Sequence, residues 1–334
     1  KPLTNKALSG LYPPGSTIKT LVALSALENG IVRPLDTFRC TGKIELYGEK
    51  FHCWEKKGHG IVNLRKGIQR SCDVYFYEVA RKLGVDRLSE TAKKFGLGKR
   101  VLKDFAEERS GVVPNTKWKK KFIGQNWYLG ETLHSGIGQG YFPSTPIQMC
   151  LMTAQIANGG FEIKPRILTN KKKNNLRDYL KFKNENPNQP LPADLLVANF
   201  DLNPLFKNQE NINLIKDAMF SSSNEPGGTS YRHRMENPKY TFAGKTGSSQ
   251  IKRFTEAQRE AEVKQDDLDY KDRDHALFVA FAPYKNPQYA ISVVVEHGGS
   301  GGKAAAPIAQ KVIKKVLERH DLRQKVSQLT GEPV

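Results

Sequence analysis

Apolar residues gather into a few stretches of this chain, and their spacing predicts most of its elements. After a polar start over residues 1–10, Ile18, Leu21, Val22, Leu24 and Leu27 make a stretch that is apolar on almost every face. A helix of that kind is buried rather than laid on a surface. It leaves a Tyr12-Pro13-Pro14-Gly15 turn, runs to about Glu28 and stops at Gly30, with Pro34 beyond. Leu64, Ile68, Ser71, Val74, Tyr75 and Val79 predict one helix over 63–82, and another follows over 85–95, closed by Gly96-Leu97-Gly98. Pro146, capped by Ser144 or Thr145, opens a nearly wholly apolar helix that ends at Asn158-Gly159-Gly160. A short helix over 212–220 precedes a flexible Ser- and Gly-rich run. Towards the C-terminus the pattern alternates. Residues 240–250 read as a strand, and 276–283 with 289–296 as a β-hairpin turning at Lys285-Asn286-Pro287-Gln288. Pro307 then opens a last helix.

The stretches between are polar or irregular. Residues 31–62 show no period, 99–123 are a basic connector, and 251–274 are too charged for a core. Residues 170–210 are rich in Lys and Asn and read as a long surface excursion.

A chain of 334 residues with 38% hydrophobic content builds a real core in one large domain or two. Its formal charge of +19 suits an anionic partner such as a membrane surface, or a solvated Lys-rich surface. Nucleic acid is not indicated, because no nucleic-acid motif appears. No apolar run is long enough to span a bilayer, and the chain opens on Lys1 without a signal sequence. It therefore reads as an excised fragment whose compartment has to be inferred from chemistry.

Three clusters carry candidate chemistry. Ser16 and Lys19 stand at the mouth of the first apolar helix, at a spacing that puts them on one face. A serine is a strong nucleophile only with a base in reach, and a lysine is a base only when burial or a nearby cation keeps it neutral. The plainer reading is an N-capping serine with a snorkelling lysine. Ser71-Cys72-Asp73 puts polar groups on an apolar helix face, where Ser71 is either a second active hydroxyl or a serine bonded to the preceding turn. Lys245-Thr246-Gly247, followed by Ser248, offers a cation and a hydroxyl to a carboxylate, with Gly247 letting a ligand close to the strand edge. Separately, Cys40, Cys53, His59 and Cys72 match a tetrahedral zinc set of thiolates and an imidazole. His52 competes with His59 for the imidazole role, though His59 turns more freely between glycines. A Cys40–Cys53 disulfide and free buried thiols are the alternatives.

S-x-x-K, S-x-D and K-T-G in this order form the set found in serine β-lactamases and penicillin-binding proteins. The chain resembles the transpeptidase domain of class B penicillin-binding proteins, and within them the penicillin-binding protein 2 group, over residues 11–160 and 240–300. Residues 165–235 are unmatched. The added resemblance lies in Gly58-His59-Gly60, Asp86-Arg87-Leu88, Trp127-Tyr128-Leu129-Gly130 and Gly136–Tyr141. Asp73 stands where the wider family has Asn, a feature of that group. The resemblance implies an α+β fold, an antiparallel sheet covered by helices on both faces. It also implies one transpeptidase domain over 1–334, lacking the membrane anchor, the N-terminal pedestal and the first strands. Only three strands are legible, all C-terminal.

The implied activity is peptidoglycan D,D-transpeptidation during cell-wall elongation. Ser16 would attack the bond between two terminal D-alanines, Lys19 take its proton, and Ser71 relay a proton to the leaving amine. Asp73 and Lys245 would set the field, with Lys245 depressing Lys19. Lys245, Thr246, Gly247 and Ser248 would bind the substrate, and backbone N–H groups of Ser16 and Ser248 would form the oxyanion hole. β-Lactams would acylate Ser16. A serine β-lactamase or D,D-carboxypeptidase, or a β-lactam sensor, would share the triplet. No cofactor is implied for catalysis, and some members of the group carry zinc beside the second motif. The implied partners are stem peptides, lipid-linked precursor, the scaffold MreC and a SEDS-family glycosyltransferase. The implied place is the periplasmic side of a bacterial inner membrane.

Overall fold

The computed structural model describes residues 3–102, 105–166, 204–252 and 263–330, with isolated positions at 185, 186, 189, 255, 258 and 261. Most of the expected excursion over 170–210 lies outside the described residues.

The N-terminal half is helical around one buried rod. A single turn, α1 (Lys6–Ser9), leads to a 3₁₀ turn at Gly15–Ile18 and then α2 (Lys19–Glu28). Residues 19–27 of α2 are all buried, as its unbroken apolar pattern requires. Four short strands follow: β1 (Phe38–Cys40), β2 (Lys43–Leu46), β3 (Glu49–His52) and β4 (Gly60–Val62). β1 pairs with β4, and β2 pairs with β3 as a hairpin turning at Tyr47-Gly48, both residues at positive φ. This stretch reads as irregular in the sequence because strands of three or four residues are too short to show an alternation.

The helix predicted over 63–82 is two. α3 (Leu64–Gln69) and α4 (Asp73–Leu83) break at Ser71, whose φ is +55°. Cys72 caps α4, its sulfur accepting the Tyr75 N–H at 3.4 Å. α5 (Val85–Lys94) follows. The basic connector contains α6 (Thr116–Phe122), capped by Asn115, and α7 (Leu129–Gly136) comes after it. α8 (Pro146–Ala157) starts in a capping box of Thr145 and Gln148.

α9 (Gln209–Asn224) runs further than the apolar pattern predicts. Ser221, Ser222 and Ser223 are helical and buried, not a flexible run, because their hydroxyls find Ala218 O, Thr229 and Ser230. β5 (Ala243–Ser249), β6 (His275–Ala282) and β7 (Tyr289–Val295) form an antiparallel sheet in the order β5-β6-β7. α10 (Ala306–Thr330) closes the described chain.

Register decides what each sheet face meets. Phe278 and Ala280 point with Phe242 towards Ala306, Ala309, Ile313 and Leu317 of α10. Val279 and Phe281 point with Ala243 into the main core, which holds α2, α8 and α9. The antiparallel sheet is thus covered by helices on both faces, in an α+β arrangement. No helix of the described residues is long and apolar enough to cross a membrane.

Candidate active site

Ser16 sits where α2 meets the free edge of β5. Gly15 before it has φ +52°, and its N–H donates to Gly138 O at 2.9 Å. A Cβ on Gly15 would lie 2.3 Å from Ser248 O, so only glycine lets the Ser16 turn lie this close to the strand. Ser16 is half-buried on the wall of a cleft of about 980 Å³. Ser71, Asp73, Thr246, Gly247 and Ser248 line the same cleft.

Behind Ser16 the two motif lysines converge on one hydroxyl. Lys19, fully buried, donates to Ser71 O at 2.8 Å, Ser71 Oγ at 3.3 Å and Asp73 Oδ1 at 2.7 Å. Ser16 Oγ is not among its partners. Lys245, also fully buried, donates to Ser71 Oγ at 2.8 Å and Thr246 O at 3.0 Å. Two buried lysine side chains thus face one carboxylate.

Burial, and after it the Lys19 charge, hold the Lys245 amine well below its usual range, against a weaker pull from Asp73. Burial likewise raises the Asp73 carboxyl, opposed by Lys19. The resemblance implies that the two lysines depress each other, and at Lys245 the influence of Lys19 runs in that direction, while Lys19 Nζ lies 2.7 Å from Asp73 Oδ1.

The rim of the cleft includes residues that no motif marks. Thr246 Oγ1 donates to Thr229 Oγ1 at 2.7 Å, which steadies the hydroxyl expected to meet a carboxylate. Gln139 Nε2 donates to Ser248 O at 3.1 Å and ties the glycine-rich turn to the strand end. Trp54 donates its backbone N–H to Asp73 Oδ2 at 2.9 Å. Thr229 falls after the Ser- and Gly-rich run, where the sequence carries no periodic signal. Trp54 carries one only as an aromatic beside a candidate ligand.

Cys40, Cys53, His59 and Cys72 come together just behind Asp73, with one ligand atom from each within 4.8 Å of the others. All three cysteines are buried free thiols, so the Cys40–Cys53 disulfide does not form here. His59 Nδ1 lies 3.7 Å from Cys40 Sγ and 3.5 Å from Cys53 Sγ. The Cys72 contact, helped by His59, holds the Cys53 thiol down at about 3, while that same contact pushes Cys72 up. Cys53 and Cys72 thus share a proton that a bound cation would displace, leaving both sulfurs as thiolate ligands. The donor set, three sulfurs and one imidazole nitrogen in a closed pocket, fits tetrahedral zinc. His52 is not in this group.

A serine beside two buried lysines and a second serine, set between a helix mouth and a strand edge, is the arrangement expected of the penicillin-interacting class of proteins. Residues 1–314 match the penicillin binding protein transpeptidase domain, and the chain belongs to that family. It is 37% identical over 320 residues to the peptidoglycan D,D-transpeptidase MrdA of Salmonella typhimurium, covering 95% of this chain and 48% of that protein. To MrdA of Escherichia coli K12 it is 34% identical over 335 residues, with 99% and 49% covered. Among solved structures it resembles Pseudomonas aeruginosa PBP2 in complex with WCK 5153, with a TM-score of 0.76, 36% identity, and 94% of this chain and 63% of that one covered. It also resembles PBP2 in the complex with MreC from Helicobacter pylori, with a TM-score of 0.77, 33% identity, and 95% and 51% covered. The chain spans about half the length of the curated relatives it matches.

Proposed function

We propose that this chain is the transpeptidase domain of a peptidoglycan D,D-transpeptidase of the penicillin-binding protein 2 group. The observation that carries the reading is the Ser71 hydroxyl held between Lys19 and Lys245, beside Ser16 on one cleft wall. Ser16 attacks the D-Ala-D-Ala carbonyl, and Lys19, one helical turn on, takes its proton. Ser71 passes a proton to the leaving amine. Asp73 anchors Lys19 and favours the proton that Lys19 accepts. Thr246, on the cleft wall, meets the substrate carboxylate, with Lys245 buried behind it on Ser71 rather than facing the cleft as the sequence suggested, and the Ser16 and Ser248 backbones, drawn together at Gly15, stabilise the oxyanion. A second stem peptide's amine then displaces Ser16 and forms the cross-link.

Transfer to an amine is favoured over hydrolysis. Among the described residues three carboxylates line the cleft; Glu49 stands on the hairpin wall, Asp73 is engaged by Lys19 and Trp54, and Asp274 by Ile251 and Gln265, so neither aspartate is free of partners to activate water at Ser16. The relatives' names agree with transfer.

The four-residue cluster binds zinc, which would neutralise the thiolates and tie β1 and the hairpin root to α4. The partners are stem peptides, lipid-linked precursor, an MreC-type scaffold and a SEDS-family glycosyltransferase. The domain works on the periplasmic side of an inner membrane, and the +19 charge suits that anionic surface.

The test is intact-mass spectrometry after incubation with a fluorescent penicillin. A single stable adduct is expected on the wild type and none on Ser16→Ala. Rapid drug hydrolysis without an adduct would move the reading to a lactamase.

A further inference from the structure

Trp54 joins two parts of this molecule and belongs to neither. It follows Cys53 in the chain, at the root of the β2–β3 hairpin. Its indole Nε1–H donates to Arg70 O at 3.0 Å and Ser71 O at 3.1 Å. Its backbone N–H donates to Asp73 Oδ2 at 2.9 Å. Ser71 O and Asp73 are also the acceptors that hold Lys19 Nζ, at 2.8 and 2.7 Å. The same carbonyl and the same carboxylate are thus gripped from one side by Trp54 and from the other by Lys19.

Two observations argue against a packing role. The Trp54 side chain stays largely in solvent, at 58% exposure, so hydrophobic burial gives little reason for an indole here. Its aromatic neighbour among the described residues is His59, with centroids 5.2 Å apart and planes at 65°. The hydrogen bonds are what require tryptophan. Ser71 needs them because it sits at φ +55°, a conformation serine keeps only where its surroundings hold it. The Cys72 N–H steadies one end of that peptide plane on Gly67 O at 3.0 Å, and the indole steadies the carbonyl end.

We propose that Trp54 is a positioning residue for acylation. It orients the Ser71 carbonyl and the Asp73 carboxylate so that Lys19 is held where it serves Ser16. This rests on reading Lys19 as the base. Because β3 leads directly into Cys53 and Trp54, a shift of the hairpin wall by a bound substrate reaches Lys19 through this residue.

The experiment compares wild type, Trp54→Phe, Trp54→Ala and Ser16→Ala in the protein at its full natural length. Fluorescent-penicillin kinetics separate the saturating acylation rate from the dissociation constant of the initial complex. Trp54→Phe keeps the ring against His59 and loses the N–H. Its acylation rate is expected to fall about tenfold, the size of one well-placed hydrogen bond. Its dissociation constant, metal content and melting temperature should match wild type. Wild-type acylation in Trp54→Phe, or a loss that appears only with lowered melting or metal content, overturns the inference. A wild type that takes no adduct on Ser16 overturns the functional reading and this inference with it. Replacing Trp54 by its benzothiophene isostere, which lacks only the N–H, should reproduce the Phe result, and wild-type rates there would also overturn it.

Discussion

Ser71 concentrates the physics of this site in one residue. Its hydroxyl accepts from Lys245, its carbonyl accepts from Lys19, and its backbone lies in the left-handed region. Around it two buried lysines share one carboxylate, so protonating both would leave an unbalanced positive charge in the folded state. Lys245 bears the consequence, its amine held well below the usual range by burial first and Lys19 second. A lysine with a depressed folded value contributes most to stability when neutral. That stability is present above the unfolded value of about 10.4 and is lost as pH falls through the lowered folded value. Lys245→Met removes this burden and leaves Lys19 and Asp73 paired one to one. We expect the variant to lose acylation by about a hundredfold or more yet melt at or above the wild-type temperature at neutral pH. The stability difference should narrow as pH rises towards about 10. Melting curves across pH check this, and a variant that melts well below wild type at pH 7 would show that Lys245 holds the site together. The motif residues here were legible because residue type and order carry chemistry without a fold. The break at Ser71 was not, because Ile68, Val74 and Tyr75 keep helical spacing straight through it.

At the scale of elements, the nucleophile helix and the Cys/His cluster pose opposite problems of legibility. α2 was plain in the sequence, since its apolar residues face inward on all sides. The β2–β3 hairpin was hidden, although it forms one wall of the cleft through Phe51 and His52. It is short, among the described residues its flanking strand β1 pairs only with β4, and it rests on the main core through only three partly buried side chains of its own, Ile44, Leu46 and Phe51. What anchors it is the cluster: Cys40 precedes β2, Cys53 follows β3, and Cys72 ties both to the cap of α4. The ligands were legible as residue types, while their convergence depends on strands too short to predict. We expect about one zinc per chain, and its removal by a chelator to lower the melting temperature by about 5 °C or more. Backbone amides of β1 to β4 should then exchange faster, with those of β5 and β6 unchanged. Cys72→Ser should behave like the stripped protein. Unchanged melting and exchange after complete metal removal would mean the thiols pack as an apolar cluster without a structural ion.

Across the whole molecule, the sheet is finished on one side and open on the other. The free edge of β5 is occupied by the Ser16 turn, and this is the edge where chemistry is proposed. Among the described residues no strand pairs with the outer edge of β7, although every residue from Tyr289 to Val295 is half-buried and most are apolar. An unpaired apolar edge of this length is a template for another strand. The sequence signalled the imbalance, since only three strands were legible, all of them C-terminal. It could not say which edge was open, because strand order depends on long-range pairing. This chain on its own is expected to self-associate through β7 in a concentration-dependent way, and Ser292→Lys should oppose that. Ser292 stands opposite Val279 in the register, in the middle of the edge strand, so its half-buried side chain lies on the face the main core covers, and a lysine there adds a charge at a cost to the fold. Sedimentation velocity should show association weakened about tenfold, roughly the effect of one buried charge at an interface, with the melting temperature lowered by about 5 °C. Association that persists unchanged in Ser292→Lys would move the contact elsewhere. The exposed apolar stripe of α10, with Leu322, Val326 and Leu329, would then be the next surface to charge.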